Sequence, residues 1–544
     1  MSLQNQWLKT GLNCLITASV FLLLWASRIS AQPVYSEDVN RLGEFETKVL
    51  GLIQQPKWAS AFWGIEIVSL DDGTTLYTFN AHKRFLPASN MKILTCAAIL
   101  DGMDPQERIT TPVYVTGRID KWGRVLGDIV LVGRGDPNLE RRGYKTEHET
   151  FESKLCPSSI TQIADELQSK GIKTVEGDIV IDDTYFLHQP YGFAWTLEDT
   201  AWSYGTPVSA LVINENKIAV RLLPGELPND LAFFQTSPME IGLTVVSNRV
   251  RTVDIQQNTA VRLTHAQESG LPVFTGSISQ SQSELNYQLA VPDPAKFAGS
   301  LLRTALTQRG VLVKGEVKSR FLEPEEVLEG QGILPKEIRS GQHTYAEEDR
   351  VAAILGVPIF DSLKIMMKES QNLYAECLLR LLGARTSGVG SIETGLAALG
   401  KFMMKTGTPV GSLKIKDASG MSRKNLVTPE SIVRVLVYMG HHPQREKFLD
   451  TFPVGGRDGT LRTRFQGTPA VGRILAKTGS MESVSTLSGY AETIQGGHLA
   501  FSLMVNNEVG SQQDVREVLD QLCLWIIELV PRTRNVPTPS RQPQ

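Results

Sequence analysis

Three short motifs bring together the residue types that acyl transfer through a serine requires. Ser89 and Lys92 form an S-x-x-K sequence, residues 370–372 form an S-x-N sequence, and residues 477–479 form a K-T-G sequence. A serine hydroxyl is a weak nucleophile until a neighbouring base takes its proton, and a lysine can be that base only when it is neutral. The motifs therefore predict a covalent catalytic site in which Ser89 is the nucleophile and Lys92 is the base.

The residues around Ser89 favour a position at the start of a helix. Pro87 precedes Ser89, and apolar residues follow it at helical spacing. Backbone N–H groups and the positive end of the helix dipole then lie near the attacking oxygen, and Lys92 comes one helical turn later on the same side. We expect burial and the positive charge of Lys477 to lower the pKa of Lys92. Taken alone, Ser89 also fits an ordinary helix N-cap.

The second motif supplies a hydroxyl and an amide. We expect Ser370 to relay a proton between the lysines and the leaving amine, and Asn372 to hold both Lys92 and the amide of a substrate. Taken alone, the same residues also fit a turn between two helices.

The third motif supplies a cation at the end of a strand. We expect Lys477, helped by the hydroxyl of Thr478, to bind a terminal carboxylate, and Gly479 to let the substrate backbone lie close to the strand. The backbone N–H groups of Ser89 and Ser480 would form the oxyanion hole. A lone lysine here would also fit a solvated strand end.

The K-T-G sequence occurs twice, and its context distinguishes the two copies. The copy at residues 405–407 ends a predicted helix, where a lysine and then a glycine are ordinary C-terminal features. The copy at 477–479 ends one strand run and leads into two more. Because the three motifs stand in order, each in a suitable local setting, we favour the joint catalytic interpretation over the separate structural ones.

The elements that must position these motifs come from both ends of the chain. Two strands around an Asp-Asp-Gly turn are predicted over residues 64–79, and three consecutive strands over residues 473–507. A helix follows each group, at 89–100 and at 514–530. The pattern predicts an α/β core in which an antiparallel sheet is flanked by helices, formed by residues 38–103 and 346–530.

The middle of the chain reads as a large insertion into this core. Residues 104–345 contain many short β-like runs separated by Gly, Asp and Pro, with two helical segments. Residues 216–284 are richer in Thr, Ser and Gln and are predicted to form a nested β-domain. The insertion is therefore mostly β and forms two extra domains.

Composition excludes several classes of function. The 544 residues carry a formal charge of −3, so nothing indicates a nucleic-acid partner. The cysteines are few and widely spaced, which excludes a dense disulfide framework. His441 and His442 lack the spacing of metal ligands and fit a solvated helix end. The histidines therefore predict no metal site.

The N-terminus indicates export. An apolar run over residues 12–26 is too short to span a membrane comfortably, and a small-residue cleavage site follows it. We interpret residues 1–31 as a signal peptide that directs the protein to the periplasm or cell envelope. An uncleaved membrane anchor is the alternative. The Pro-rich residues 531–544 are predicted to be a disordered tail.

Five longer stretches extend the three motifs into a family resemblance. They are PASNMKILT at 87–95, GRGDPNL at 133–139, GDIVIDDTYF with the following AWSYGTPVSALVINEN, DASGMSRKNLVTP at 417–429 and PVGGRDGTLRTRF at 453–465. Together they resemble the class C low-molecular-mass penicillin-binding proteins, the D-alanyl-D-alanine carboxypeptidase/endopeptidase family, over residues 40–530. The long insertion between Lys92 and Ser370 is typical of this group.

The resemblance implies a penicillin-recognising serine-hydrolase core, an acyl-enzyme on Ser89, and no metal or organic cofactor. It implies peptidoglycan stem peptides as substrates, β-lactams as inhibitors and a possible peripheral contact with the membrane, and it leaves the oligomeric state open. Asp417 and Ser419 would line the site or form a turn. A β-lactamase or esterase on the same fold, and a cell-wall sensor without turnover, are the alternative functions.

Two positions depart from the family pattern. Gln371 stands where many members carry Asp or another small polar residue, and we expect its side chain to point away from the chemistry with little effect. The stretch YFLHQPYG at 185–192 lacks the acidic residue expected where the insertion would recognise the stem-peptide side chain. Tyr185 and Phe186 also fit a role in the protein core.

Overall fold

The computed structural model describes most of the chain. It covers residues 35–144, 157–237, 246–265, 271–323, 344–409 and 411–529. The predicted signal peptide and the predicted tail lie outside these residues. Within the part described, no helix has both the length and the apolar character needed to cross a membrane.

The N-terminal part of the chain supplies one helix, a pair of strands and a second helix. The elements are α1 (Tyr35–Ile53), β1 (Phe62–Ser69), β2 (Thr75–Phe79) and, after a 3₁₀ turn at Ala88–Asn90, α2 (Met91–Gly102). The two strands pair antiparallel, as the Asp-Asp-Gly turn predicts. The helix α1 was not predicted.

The middle of the chain is rich in strands, as predicted. Its helices are α3 (Ser158–Ser169) and α4 (Pro294–Gln308), and its 3₁₀ turns are Asp199–Ala201, Ser203–Gly205, Asn214–Asn216 and Glu347–Asp349. Its strands are β3 (Arg108–Val115), β4 (Arg118–Ile119), β5 (Arg124–Leu126), β6 (Ile129–Val132), β7 (Thr174–Val175), β8 (Ile179–Leu187), β9 (Lys217–Leu223), β10 (Phe233–Ser237), β11 (Ser247–Val253), β12 (Ala260–His265), β13 (Pro272–Ser279), β14 (Leu285–Ala290), β15 (Leu312–Val313), β16 (Val317–Leu322) and β17 (Arg350–Pro358).

These strands form four sheets. A five-stranded sheet has the order β16-β8-β6-β3-β17, and a four-stranded sheet has the order β15-β7-β5-β4. Two three-stranded sheets, β10-β9-β14 and β11-β13-β12, lie within residues 217–290. The last strand of this region, β17, pairs antiparallel with its first strand, β3. The chain therefore enters and leaves the region on neighbouring strands of the five-stranded sheet. The predicted domain boundary at residues 345 and 346 stays a prediction.

The C-terminal part returns to the elements of the N-terminus. Its helices are α5 (Ile359–Lys368), α6 (Asn372–Ser387), α7 (Ile392–Lys405), α8 (Pro429–Gly440), α9 (Arg445–Asp450) and α10 (Gln512–Ile526), with a 3₁₀ turn at Gly459–Leu461, and its strands are β18 (Ile474–Met481), β19 (Val484–Glu492) and β20 (His498–Asn506). The strands join β1 and β2 in one antiparallel sheet of order β18-β19-β20-β1-β2, which we name the core sheet. The predicted union of the two chain ends is confirmed.

Helices cover both faces of the core sheet. Successive residues of β20 point to opposite faces, so Met504 packs with α2, α6 and α8 while Leu503 packs with α1 and α10. The helix α2 is apolar on nearly all sides and lies inside the first of these clusters. A helix that is hydrophobic all round is a buried helix, and this one carries Lys92 into the interior.

Candidate active site

The residue before the predicted nucleophile has an unusual backbone conformation. Ala88 has a φ of 45°, in the left-handed region that a residue with a Cβ rarely adopts. Ser89 follows it in the 3₁₀ turn and is half-buried. The carbonyl oxygen of Ala88 lies only 1.8 Å from where a Cβ on Gly420 would stand. The segment around residue 420 can therefore pack against this turn only because that residue is a glycine.

The side chain of Lys92 is fully buried and lies between three oxygen atoms. Its Nζ is 3.0 Å from Ser89 Oγ, 2.6 Å from Asn372 Oδ1 and 2.7 Å from the carbonyl oxygen of Ser419. One atom of Lys92 thus connects residues of the first and second motifs. Ser419 contacts Lys92 through its backbone carbonyl oxygen and not through its hydroxyl group.

Burial lowers the pKa of Lys92 from its ordinary 10.5 to about 7, although the carboxylates of Asp417 and Glu376 act to raise it. A neutral amine has two N–H groups and one lone pair. The amide oxygen of Asn372 and the backbone carbonyl can each accept one N–H, which leaves the lone pair for the hydroxyl of Ser89. The geometry therefore suits a lysine that accepts a proton from the serine.

Lys477 is the second fully buried lysine of the site. Its Nζ donates to Ser370 Oγ at 2.8 Å and to the carbonyl oxygen of Thr478 at 2.8 Å. Burial, and then the positive charge of Lys92, lower the pKa of Lys477 well below its ordinary value. Burial therefore lowers the pKa of both lysines, and the repulsion between their positive charges disfavours a state in which both are protonated.

The S-x-N motif occupies the short connection between α5 and α6. Ser370 has a φ of 63°, again in the left-handed region, and is half-buried. Asn372 begins α6, and its Nδ2 donates to the carbonyl oxygen of Tyr204 at 2.8 Å. The motif is both a turn between two helices and part of the site, so the two interpretations that the sequence left open are compatible.

The K-T-G motif lies on β18, at the edge of the core sheet. Thr478 is half-buried and Ser480 is exposed, while Lys477 points into the interior. The hydroxyl of Thr478 donates to Thr460 Oγ1 at 2.9 Å. A strand edge with exposed backbone and hydroxyl groups can add an extended ligand as a further strand.

The structure shows a role for Gly479 within the protein, in addition to the one predicted towards the substrate. A Cβ at this position would stand 2.2 Å from Thr486 Oγ1, 2.8 Å from the carbonyl oxygen of Pro87 and 3.0 Å from the backbone nitrogen of Ser89. The hydroxyl of Thr486 also donates to that carbonyl at 2.9 Å. The absence of a side chain at Gly479 is therefore needed for contact between the third motif and the first motif, within the protein itself.

The floor of the site is a buried loop at residues 417–420. Both carboxylate oxygens of Asp417 accept hydrogen bonds from this loop and its continuation, from the backbone N–H groups of Gly420 and Ser422. Glu376 Oε1 accepts from the backbone N–H groups of Ala418 and Ser419 at 3.0 Å each. The loop that carries the carbonyl partner of Lys92 is thus fixed by two buried carboxylates, and both interpretations of residues 417 and 419 hold.

The sequence analysis did not identify Glu376, although a pattern in the sequence points to it. Asn372, Glu376 and Arg380 follow one another at intervals of four on an otherwise apolar helix, so they form a polar stripe on one face. Arg380 and Glu376 form an ion pair of 3.1 Å with both side chains buried. A polar stripe on a buried helix marks side chains with partners inside the protein.

The inserted region reaches this floor directly. Trp195 Nε1 donates to Asp417 Oδ2 at 2.9 Å, and Ser422 Oγ donates to the carbonyl oxygen of Phe193 at 2.7 Å. In the neighbouring stretch 185–192, Phe186 is buried in the same apolar cluster as α2. The hydroxyl of Tyr185 accepts from Arg385 at 2.8 Å. Phe186 is therefore a core residue, which was one of the two interpretations offered for it.

The other sequence features lie apart from these contacts. The first K-T-G copy follows the end of α7 at Lys405, as predicted. His441 caps the C-terminal end of α8 and is exposed, as expected of a solvated helix end. Among the described residues, no group of His, Cys, Asp and Glu side chains has an arrangement that could hold a metal ion.

Comparison with known protein families gives a match over most of the chain. The model of the D-Ala-D-Ala carboxypeptidase 3 (S13) family matches residues 46–326 and 323–529. A D-alanyl-D-alanine carboxypeptidase of Actinomadura sp. (strain R39) is 29% identical over 507 residues, which are 90% of this chain and 86% of the relative. The D-alanyl-D-alanine carboxypeptidase DacB of Haemophilus influenzae is 25% identical over 445 residues, 80% of this chain and 84% of the relative.

Comparison with solved structures gives the same fold. The crystal structure of penicillin-binding protein 4 (dacB) from Haemophilus influenzae superposes with a TM-score of 0.72 at 23% identity, over 88% of this chain and 98% of that chain. A second structure of that protein, in complex with a novel β-lactam, superposes with a TM-score of 0.68 at 21% identity over the same shares. The predicted α/β class, an antiparallel sheet flanked by helices, is confirmed.

Proposed function

Because this chain belongs to the D-Ala-D-Ala carboxypeptidase 3 (S13) family, we propose that it is a serine-type D-alanyl-D-alanine carboxypeptidase and endopeptidase of peptidoglycan. The observation that carries the proposal is Lys92, a fully buried lysine 3.0 Å from the hydroxyl of Ser89. Its pKa of about 7 makes a neutral amine available at neutral pH. A serine with a neutral base at hydrogen-bond distance is an activated nucleophile.

The first half-reaction forms an acyl-enzyme. Ser89 Oγ attacks the carbonyl carbon of the bond between the two D-alanines, and its proton passes to Lys92 Nζ. The carbonyl oxygen becomes an oxyanion that the backbone N–H groups of Ser89 and Ser480 stabilise. When the C–N bond breaks, the proton reaches the nitrogen of the leaving D-alanine through the hydroxyl of Ser370. That hydroxyl is 2.8 Å from Lys477 Nζ.

The second half-reaction returns the free enzyme. A water molecule gives its proton to Lys92, and its oxygen attacks the ester carbonyl. The C–O bond to Ser89 then breaks, and Ser89 Oγ regains a proton. A stem peptide that is cross-linked through D-alanine would follow the same course, with the cross-linked stem as the leaving group.

The third motif would bind the terminal carboxylate of the substrate. Ser480 is exposed and Thr478 half-buried, so their hydroxyl groups lie on the accessible side of β18. Lys477 lies beneath them with its pKa lowered by burial and by Lys92. An approaching carboxylate would favour the charged form of Lys477, and the lysine would then add its charge to the two hydroxyl contacts. Gly479 would hold this strand against Ser89.

We also propose where the protein acts and what inhibits it. Residues 1–31 would direct it to the periplasm or cell envelope, where peptidoglycan stem peptides are its substrates. β-Lactams would acylate Ser89 and stay bound as a slowly hydrolysed ester. A core of residues 38–103 and 346–530 would carry the reaction, and residues 104–345 would form the accessory region.

The test is labelling of the purified full chain with a fluorescent penicillin, beside Ser89→Ala. We expect a label that depends on Ser89, persists for many minutes and accompanies release of D-alanine from a D-Ala-D-Ala peptide. A label that disappears within seconds would favour a β-lactamase or esterase, and a stable label without any peptide release would favour a sensor. Full peptide activity in Ser89→Ala would refute the mechanism.

A further inference from the structure

The loop that carries the second motif is held from outside the core. Glu369 Oε1 accepts from Arg142 Nη1 at 2.9 Å, and Gln371 Nε2 donates to Glu215 Oε2 at 2.8 Å. Arg142 and Glu215 both lie within the predicted insertion. The residues on either side of Ser370 are therefore each bound to a side chain of the accessory region.

Glu215 is well suited to hold a partner in one place. Its side chain is buried, and it accepts hydrogen bonds from Arg142 Nε and from Lys217 Nζ, the latter at 2.7 Å. Burial alone would raise the pKa of Glu215, but the charges of Lys217 and Arg142 lower it. The carboxylate therefore stays ionised and fixed, with one oxygen shared between Lys217 and Gln371.

The backbone around Glu215 is strained. Asn214, Glu215 and Asn216 have φ angles of 50°, 52° and 53°, three successive non-glycine residues in the left-handed region. Such conformations are unfavourable for residues with a Cβ and persist only where the surrounding structure enforces them. Asn216 Nδ2 supplies part of that support, since it donates to the carbonyl oxygen of Pro207 at 3.0 Å.

We propose that Glu215 is a positioning residue, which acts through Gln371 to set the place of the Ser370 hydroxyl relative to Lys477. Ser370 has left-handed geometry of its own, and its hydroxyl must stay 2.8 Å from Lys477 Nζ. A contact on each side of the serine fixes the loop better than the two flanking helices alone. The inference rests on the proposed function, because it concerns the same reaction.

The structure thereby revises the expectation for Gln371. Its side chain does point away from Ser89, but it points into the contact with Glu215 and also accepts from the backbone N–H of Leu373 at 3.3 Å. A side chain that touches no substrate can still decide where its neighbour lies. A displacement of about 1 Å at a reacting group costs on the order of 100-fold in rate.

The experiment exchanges the two partners. In the full chain, Gln371→Glu places a second carboxylate next to that of Glu215. The two cations of this cluster, Arg142 and Lys217, are already paired with Glu215 and Glu369. We expect the second-order rate of acylation by penicillin to fall by about 10- to 100-fold, with the loss in the acylation step and not in the binding of penicillin. Combining Gln371→Glu with Glu215→Gln restores the pair in reverse, and we expect it to recover most of the lost rate.

Gln513→Glu is the control. Gln513 lies on α10, where its Nε2 donates to Glu517 Oε1 at 3.2 Å, away from the three motifs and from the S-x-N loop. The same change of charge against the same type of partner should leave the acylation rate at the wild-type value.

Several outcomes would overturn the inference. They are a wild-type acylation rate in Gln371→Glu, an equal loss of rate in Gln513→Glu, and a failure of the double exchange to recover rate while its thermal midpoint recovers. Failure of the proposed function itself looks different, because the wild-type protein would then show no Ser89-dependent label.

Discussion

Two parts of the site are held in place by different means. One is the contact between the first and third motifs, and the other is the loop that carries the second motif. Gly479 lies against Pro87 and Ser89 with no room for a methyl group, so backbone packing fixes that contact. The second loop is fixed by polar side chains, with Glu215 bound to Gln371 on one side of Ser370. Steric contact within a packed core tolerates almost no change, whereas a polar contact can be exchanged for an equivalent pair.

The difference indicates how the reaction depends on the accessory region. Ser89, the proposed nucleophile, and β18, the proposed carboxylate-binding strand, are in contact at Gly479. Ser370, the proposed relay, is flanked by residues that bind side chains of the predicted insertion. Under our proposals the insertion takes part in the catalytic arrangement, and the two contacts should respond differently when altered.

The largest expected effect comes from Lys92, because its Nζ contacts Ser89 of the first motif and Asn372 of the second motif. Lys92→Met removes the base and should lower the acylation rate by about 10²- to 10⁴-fold. With wild-type protein, the neutral fraction of Lys92 rises with pH, so the rate should rise through its pKa of about 7 and then level off. A pH series of penicillin acylation measures this. A rate that is independent of pH between 5 and 9 would exclude Lys92 as the base.

Gly479→Ala breaks the backbone contact. The new methyl group would stand 2.8 Å from the carbonyl oxygen of Pro87, a backbone atom that cannot move without moving Ser89. Overpacking of this kind costs about 1–3 kcal/mol of stability, and we expect roughly a 100-fold loss of acylation. Thermal unfolding and stopped-flow labelling measure the two effects. Gly400→Ala is the control, because nothing lies within 4 Å of the new methyl group on the helix α7. It should leave acylation unchanged and raise stability by about 0.5–1 kcal/mol, since alanine favours a helix more than glycine does.

Glu376→Gln weakens the polar support beneath Lys92. The variant keeps one oxygen for the N–H groups of Ala418 and Ser419, but its amide cannot satisfy Arg380 in the buried ion pair. We expect the free energy of unfolding to fall by about 3 kcal/mol and acylation to slow by about 10-fold. Urea unfolding and labelling rates measure the two. A rate loss as large as that of Gly479→Ala would remove the contrast between steric and polar support.

The fold followed from the sequence wherever a local pattern was sufficient. Period-2 strands and an Asp-Asp-Gly turn predicted the core sheet, and they depend only on neighbouring residues. A break between α5 and α6 was one of the two interpretations of the S-x-N motif, although helical periodicity runs through residues 361–383. The contacts of this loop with Glu215 and Arg142 could not be predicted, because those residues are more than 150 positions away along the chain.

The site was predictable in its residues and less so in their physical roles. The three motifs identified Ser89, Lys92 and Lys477, because the chemistry requires those residue types. Burial as the cause of the lowered pKa of Lys92 was expected. The need for Gly479 depends on the approaching backbone of Pro87 and Ser89, which one sequence does not display. The helix α1 did carry a helical spacing of apolar residues, at Leu42, Phe45 and Val49, and could have been found.

Thr460→Val is expected to have the smallest effect, because it removes one neutral hydrogen bond at the edge of the third motif. Thr460 Oγ1 accepts from the hydroxyl of Thr478 at 2.9 Å and so orients a group proposed to bind the substrate carboxylate. Loss of such a bond is worth about 0.5–1.5 kcal/mol, so KM for a D-Ala-D-Ala peptide should rise by about 3- to 10-fold, with kcat unchanged. The same measurement with a peptide that ends in an amide is the control. Since that peptide lacks the carboxylate, its KM should not change, and an equal rise for both peptides would mean that Thr460 supports the strand generally and does not act through Thr478.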